Sequence, residues 1–149
     1  MLLIDDDIVG RQADLGSVEI THDAIEAYLR WAGDELRLRS LAAAPRPLEA
    51  PPTFCLSLYP GMTPKVDLAG DCFAMYGGHD IAIRRPIRAG DSLDISARIT
   101  DVYEKSGRSG SLTVVVRDVS LCDGDGVEVV HVRERQMVRR RQDVARASE

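Results

Sequence analysis

The sequence predicts an α+β fold in which an antiparallel β-sheet wraps around a central helix. Three observations carry that expectation. The stretch TFCLSLYPGM at 53–62 is apolar and free of charge. The second half of the chain alternates with period two between strong turn signals. One amphipathic helical pattern stands near the start, so helix and sheet segregate along the chain as an α+β layer arrangement requires.

Each element has its own local reason. SVEI at 17–20 reads as a short strand or an extended lead-in. Thr21 then stands as an N-cap, with Asp23 and Glu26 in the first turn, where acids suit the helix dipole. Ala24, Ile25, Tyr28, Leu29 and Ala32 recur at helical spacing, and Gly33 supplies a stop. The following LRSLAAAPRPLEAPP crowds its prolines toward 45–52 and reads as an extended connector. Thr53, after two prolines, is positioned to cap a helix that is apolar all round and therefore lies inside something.

From residue 70 onward the pattern is β. CFAMYGGHDIAIRR is interrupted by Gly77-Gly78, RAGD at 88–91 is a turn, and DSLDISARITDVYE alternates cleanly. GRSG turns the chain again, with Lys105 and Arg108 keeping its tip wet, and SLTVVVRDVSLC follows as an apolar strand. DGDG at 123–126 is the strongest hairpin signal, because Asp-Gly tolerates positive φ. VEVVHVRERQMVRR closes the set. There is no internal repeat.

Composition narrows the class. A length of 149 residues fits one domain over 1–149, with 1–16 and 142–149 expected as flexible ends. The acidic start MLLIDDDIVGR is unlike a signal peptide and no run has membrane-spanning length, so the expected location is the cytoplasm. A net charge of −5 argues against nucleic acid as a partner. The basic RERQMVRRRQDVAR end reads as solvated surface. Cys55, Cys72 and Cys122 are odd in number and widely spaced, which fits reduced thiols rather than a disulfide framework or a zinc site. No two histidines stand at i, i+4, so no metal is expected; His22 and His131 read as structural. GRSGS misses the G-x-S-x-G nucleophile elbow by one position.

APPTF at 50–54, GGHDIAIRRPIRAGD at 77–91 and DVYEKSGRSGSLTVVVRD at 101–118, together with AGDE at 32–35, resemble the MaoC-like hydratase and dehydratase family. The similarity is closest to its FAS1-like N-terminal-half subfamily and spans about residue 17 to 140. The resemblance implies a hotdog fold. It also implies a hydro-lyase reaction, the reversible addition of water across the 2,3-double bond of an acyl-CoA or acyl-carrier-protein thioester, with no cofactor. Water needs a positioned base, and the developing enolate oxygen needs aimed N–H donors. The resemblance further implies a homodimer, or a heterodimer with a catalytic MaoC-like subunit.

The family's catalytic stretch resembles D-x-N-P-x-H. Here Asp34 matches, while Leu36, Arg37 and Arg39 stand where Asn, Pro and His are expected. The departure points to the substrate-binding half of an enoyl-thioester hydratase or 3-hydroxyacyl-thioester dehydratase. The alternatives are an acyl-thioester thioesterase and a non-catalytic acyl-thioester or ligand-binding hotdog protein. The expected catalytic candidates are Asp34 and His79. Asp34 can equally be the polar residue after a helix-ending Gly, and His79 a strand-edge histidine. Phe54, Tyr76, Gly77, Gly78, Arg84, Arg85 and Arg88 are the expected substrate contacts. The arginines suit a phosphate, which guanidinium binds bidentately, although exposed strand-end arginines are common.

Overall fold

The computed structural model describes residues 3–4, 6–43, 47–107 and 110–146. Its order is a 3-10 turn (Asp6–Ile8), β1 (Gln12–Glu19), α1 (His22–Ala32), α2 (Glu35–Ser40), and further 3-10 turns at Leu41–Ala43 and Pro52–Ser57. Then come β2 (Cys72–Ile83), β3 (Ser92–Gly107), β4 (Gly110–Cys122), β5 (Glu128–Arg140) and α3 (Arg141–Arg146). The strands form one antiparallel sheet in the order β1-β3-β4-β5-β2, leaving β1 and β2 at the edges. This is the predicted α+β class, a long sheet wrapped around a short helical layer. No helix among the described residues is long and apolar enough to cross a membrane.

Helix α1 forms as its sequence dictates. The Thr21 hydroxyl accepts from the Ala24 N–H at 3.1 Å. Gly33, at φ 70°, ends the helix, and the Asp34 N–H closes back on the Leu29 carbonyl at 3.0 Å. Its buried stripe, Ile25 and Leu29, packs on the inner sheet face with Phe54, Leu93, Ile95, Val119, Val130 and Val132. Each of these large side chains contributes about 1.5–3 kcal/mol by leaving water.

The inner face carries a second apolar cluster further along the strands, formed by Ile4, Ile8, Cys72, Ile99, Val115 and Val138. Between the two clusters, strand alternation places a polar layer on the same face. Arg117 is fully buried, and Glu134, its ladder partner, and Gln136 are nearly so. The Arg117 guanidinium donates to the Pro64 carbonyl (2.8 Å) and to Gln136 Oε1 (2.7 Å). Glu134 accepts from the Tyr59 hydroxyl and from the Met62 N–H, both at 3.1 Å. The layer thus pins the irregular segment after residue 58 onto the sheet.

Several expectations are corrected. TFCLSLYPGM is not a helix buried on all sides. It is a 3-10 turn over Pro52–Ser57, with Phe54, Cys55 and Tyr59 buried, Leu56 and Leu58 half-buried, and Thr53 exposed. Pro60 lacks the N–H that a longer helix would need, so the helical turn stops before it. Thr53 provides no cap; its hydroxyl accepts from Tyr28 Oη–H at 2.8 Å. The connector after Gly33 is helical as far as Ala43, and extended pairing begins only at Leu48–Ala50, which lies against Ile87–Ala89. Within the N-terminal segment, β1 begins at Gln12, and Ile4 and Ile8 are buried. Residue 142 lies within α3 rather than in a tail. Arg108 lies outside the described residues.

Candidate functional site

A cleft of about 450 Å³ opens where α2, the Pro52–Ser57 turn and the end of β2 meet. Its floor is apolar, made of Ile83, Ile87 and Val130, and Ala50, Pro51 and Pro52 form a wall. Arg37 and Glu49 supply the polar rim. Each part has a local cause. Ile83 and Val130 are ladder partners on the inner face of β2 and β5. The Glu49–Arg88 bridge ties the proline-rich wall to the turn before β3, with Arg88 Nε and Nη2 donating to Glu49 Oε1 at 3.1 and 2.9 Å.

The predicted residues divide into three groups. Asp34 is the N-cap of α2: its Oδ1 accepts from the Arg37 N–H at 3.1 Å, and its Oδ2 lies 3.5 Å from Arg37 Nε. It therefore reaches the cleft only through the arginine it holds. Arg39, where the family motif has histidine, is exposed. Phe54 belongs to the core, edge-on to Tyr28 with 5.4 Å between ring centroids.

Arg84, Arg85 and Arg88 do not converge on one point. Arg84 lies 3.6 Å from Glu128, and Arg85 donates to Asp91 at 2.8 Å. Asp91 also accepts from the Arg88 N–H at 2.8 Å, which locks the RAGD turn. That hydrogen bond with Asp91 raises the Arg85 pKa above its ordinary value. Three cations that looked like a phosphate cluster are each engaged by a carboxylate.

Tyr76, Gly77, Gly78 and His79 do come together. A register shift between Tyr76 and His79 makes a bulge at the two glycines, with Gly78 at φ 103°. A Cβ on Gly77 would stand 3.0 Å from both the Arg135 carbonyl oxygen and Met137 Cγ, so a side chain there would push against its neighbours. The bulge brings the Tyr76 hydroxyl into a hydrogen bond with His79 Nδ1. Burial first, and then the Glu134 charge, raise the Tyr76 pKa.

Sequence reasoning missed Arg37, Glu49, Ile83 and Val130 in the cleft, and Tyr59, Arg117 and Glu134 in the buried layer. Only the last group left a signal, an Arg flanked in the alternation by Val115 and Val119, and a Glu that follows Val132 on the same face. His131 lies on the outer face, with Nδ1 3.1 Å from Glu128 and Nε2 3.5 Å from Asp118. Burial raises the Cys55 thiol to about 11, which makes it an inert packing residue. His22, Asp23 and Glu26 have their ligand atoms within 4.8 Å of one another, but Arg30 already donates to Glu26 at 2.6 Å.

The first turn after Pro51 is the N-terminal end of the short helical segment that borders the cleft. Here Pro52 has no N–H, and the Phe54 N–H donates to the Pro51 carbonyl at 3.0 Å. The arrangement thus offers an apolar slot with a guanidinium at its mouth.

A five-stranded antiparallel sheet wrapped on a short helix, with a cleft between the second helix and the edge strand, is the hotdog architecture of MaoC-like dehydratases. Within that class the chain belongs to the family described as FAS1-like, dehydratase domain region, whose model matches residues 7–132. Solved structures share the fold at low identity. The 3R-hydroxyacyl-ACP dehydratase complex HadBC of Mycobacterium tuberculosis is 21% identical, with TM-score 0.65, covering 91% of this chain and 99% of that one. The ChsH1-ChsH2 complex of the same organism is 16% identical, with TM-score 0.63 and coverage of 85% and 82%. The MaoC-like dehydratase of Rhodospirillum rubrum is 17% identical, with TM-score 0.61 and coverage of 95% and 99%. No curated protein matches the sequence.

Proposed function

We propose that this chain is the substrate-binding subunit of an enoyl-thioester hydratase or 3-hydroxyacyl-thioester dehydratase, and that a MaoC-like partner carrying an intact D-x-N-P-x-H motif performs the chemistry. One observation carries the reading: the cleft is formed, but Arg39, at the motif's histidine position, is exposed and does not line it, and Pro52 on its wall has no N–H. Asp34 is engaged as a helix cap, and Arg39 points no imidazole into the slot. Arg37 at the rim suits the phosphates of a coenzyme A or phosphopantetheine carrier.

Pairing is part of the proposal. β2 is an edge strand with exposed apolar side chains, Met75, Tyr76 and Ile83, and open edges of this kind are ordinarily covered. Two named neighbours, HadBC and ChsH1-ChsH2, are complexes. The experiment is reconstitution. The purified chain and a motif-bearing MaoC-like chain are assayed alone and mixed, following enoyl absorbance of a crotonyl-type thioester. The expected result is no turnover by this chain alone, since absence of a general acid/base costs about 10²–10⁴-fold, together with co-migration of the mixture on sizing. Turnover by the isolated chain that His79→Ala abolishes without unfolding would make His79 the base and overturn the two-subunit reading.

A further inference from the structure

The apolar floor of the cleft does not end at Ile83 and Val130. Along the same ladder Ile81 lies opposite Val132, His79 opposite Glu134 and Tyr76 opposite Gln136. Strand alternation, reset by the bulge at Gly77–Gly78, turns these side chains onto the inner face. The inner edge of the sheet therefore runs apolar from Ile83 through Ile81 and then becomes polar at His79 and Tyr76. Ile81 and His79 are half-buried and Tyr76 is 53% exposed, whereas Val132, Glu134 and Gln136 opposite them are buried.

The polar end is a built feature. The bulge, in which Gly78 takes a φ of 103° that favours glycine, is what brings Tyr76 and His79 into hydrogen-bond contact. With Nδ1 engaged by the phenol, His79 Nε2 has no hydrogen-bond partner among the described residues. Behind the pair, the oxygens of Glu134 are occupied by the Tyr59 hydroxyl and the Met62 N–H. Glu134 is paired with Arg117, so neither is left to balance a charge on a ligand, and the phenol and imidazole suit a neutral oxygen.

Resting on the acyl-thioester reading of the cleft, we propose that this track receives the far end of the acyl group and that the preferred substrate carries a neutral oxygen there, a hydroxyl or ketone, held by Tyr76 and His79. At about 3.3 Å per residue, Ile83 to His79 spans about 13 Å, the reach of an acyl chain of about ten carbons.

The test is calorimetric titration of the full chain with decanoyl-, ω-hydroxydecanoyl- and ω-carboxydecanoyl-coenzyme A. The hydroxyl probe is expected to bind about two- to tenfold more tightly than the plain chain, the increment of one neutral hydrogen bond. The carboxylate probe is expected to bind more weakly than either. In Tyr76→Phe and His79→Leu the ratio of hydroxyl to plain affinity falls toward one. In His79→Gln, whose amide nitrogen occupies the place of Nε2, the ratio is retained. Equal affinity for the hydroxyl and plain probes, or variants that weaken both alike, would overturn the proposal while leaving the acyl site standing. Failure of all three probes to bind would overturn the acyl-thioester reading beneath it.

Discussion

Replacing Arg117 by methionine probes the buried layer that holds the inner face together. Methionine matches the arginine stem in length and removes the charge. The guanidinium is fully buried and donates to the Pro64 carbonyl and Gln136 Oε1 at 2.8 and 2.7 Å. Its pKa lies below the ordinary value because burial disfavours the charge, and the Glu134 carboxylate offsets part of that penalty. Losing the arginine leaves two acceptors unpaired and Glu134, only 3% exposed, without a compensating cation. Removing one member of such a buried pair costs about 3–5 kcal/mol. At about 2–4 °C per kcal/mol, the lower figure lowers Tm by about 6–12 °C. Urea titration of Arg117→Met, Glu134→Gln and the double variant measures the coupling, and the double variant is expected to cost at least about 1 kcal/mol less than the sum. A single variant melting within about 1 °C of the parent, or strict additivity in the cycle, would refute the reasoning.

Two further outcomes follow from the sheet. Gly77→Ala places a Cβ 3.0 Å from a backbone carbonyl oxygen and from Met137 Cγ, so it is expected to cost about 1–3 kcal/mol in urea titration, whereas Gly124→Ala, with nothing near its Cβ, is expected to be neutral. Asp118 is held below the usual carboxylate range, mainly by the Arg133 hydrogen bonds at 2.8 and 3.0 Å. A lowered folded value means its stabilisation is complete above the unfolded carboxylate pKa near 4 and is lost as pH falls through the lower folded value. Asp118→Asn is therefore expected to flatten the fall of the urea midpoint on acidification, and parallel pH curves for the two proteins would contradict this.

What the sequence disclosed is what local physics decides. Helix α1 was legible because cap, periodic stripe and Gly33 stop all lie within one short window. The long strands were legible from alternation, and the Gly77–Gly78 interruption marked a real bulge. β1 was seen only in part, because the register shift between Asp14 and Gly16 breaks its alternation and its partner, β3, is remote in sequence. The arginines diverge for a related reason. Arg84, Arg85 and Arg88 are adjacent in the chain, but strand pleat and turn send them to different carboxylates, on residues 128, 91 and 49. The cleft was illegible because its residues come from four separated segments, and only the fold brings Arg37 to Ile83 and Val130.

The same cleft predicts the outcome of restoring the family motif. Leu36→Asn, Arg37→Pro and Arg39→His would write D-x-N-P-x-H after Gly33. Proline at 37 falls in the first turn of α2, where it is tolerated, and it removes the N–H that now donates to Asp34 Oδ1. The carboxylate is thereby released and an imidazole introduced, a gain worth up to about 10²–10⁴-fold where all else is in place. All else is not in place. The thioester oxygen would still face Pro52, and loss of one aimed donor costs about 10²–10³-fold. The triple variant is therefore expected to stay at background on a crotonyl-type thioester, and turnover is expected to emerge only when Pro52→Gly is added. Hydratase activity in the triple variant alone would show that the histidine was the whole deficit and that the proline wall has no bearing on catalysis.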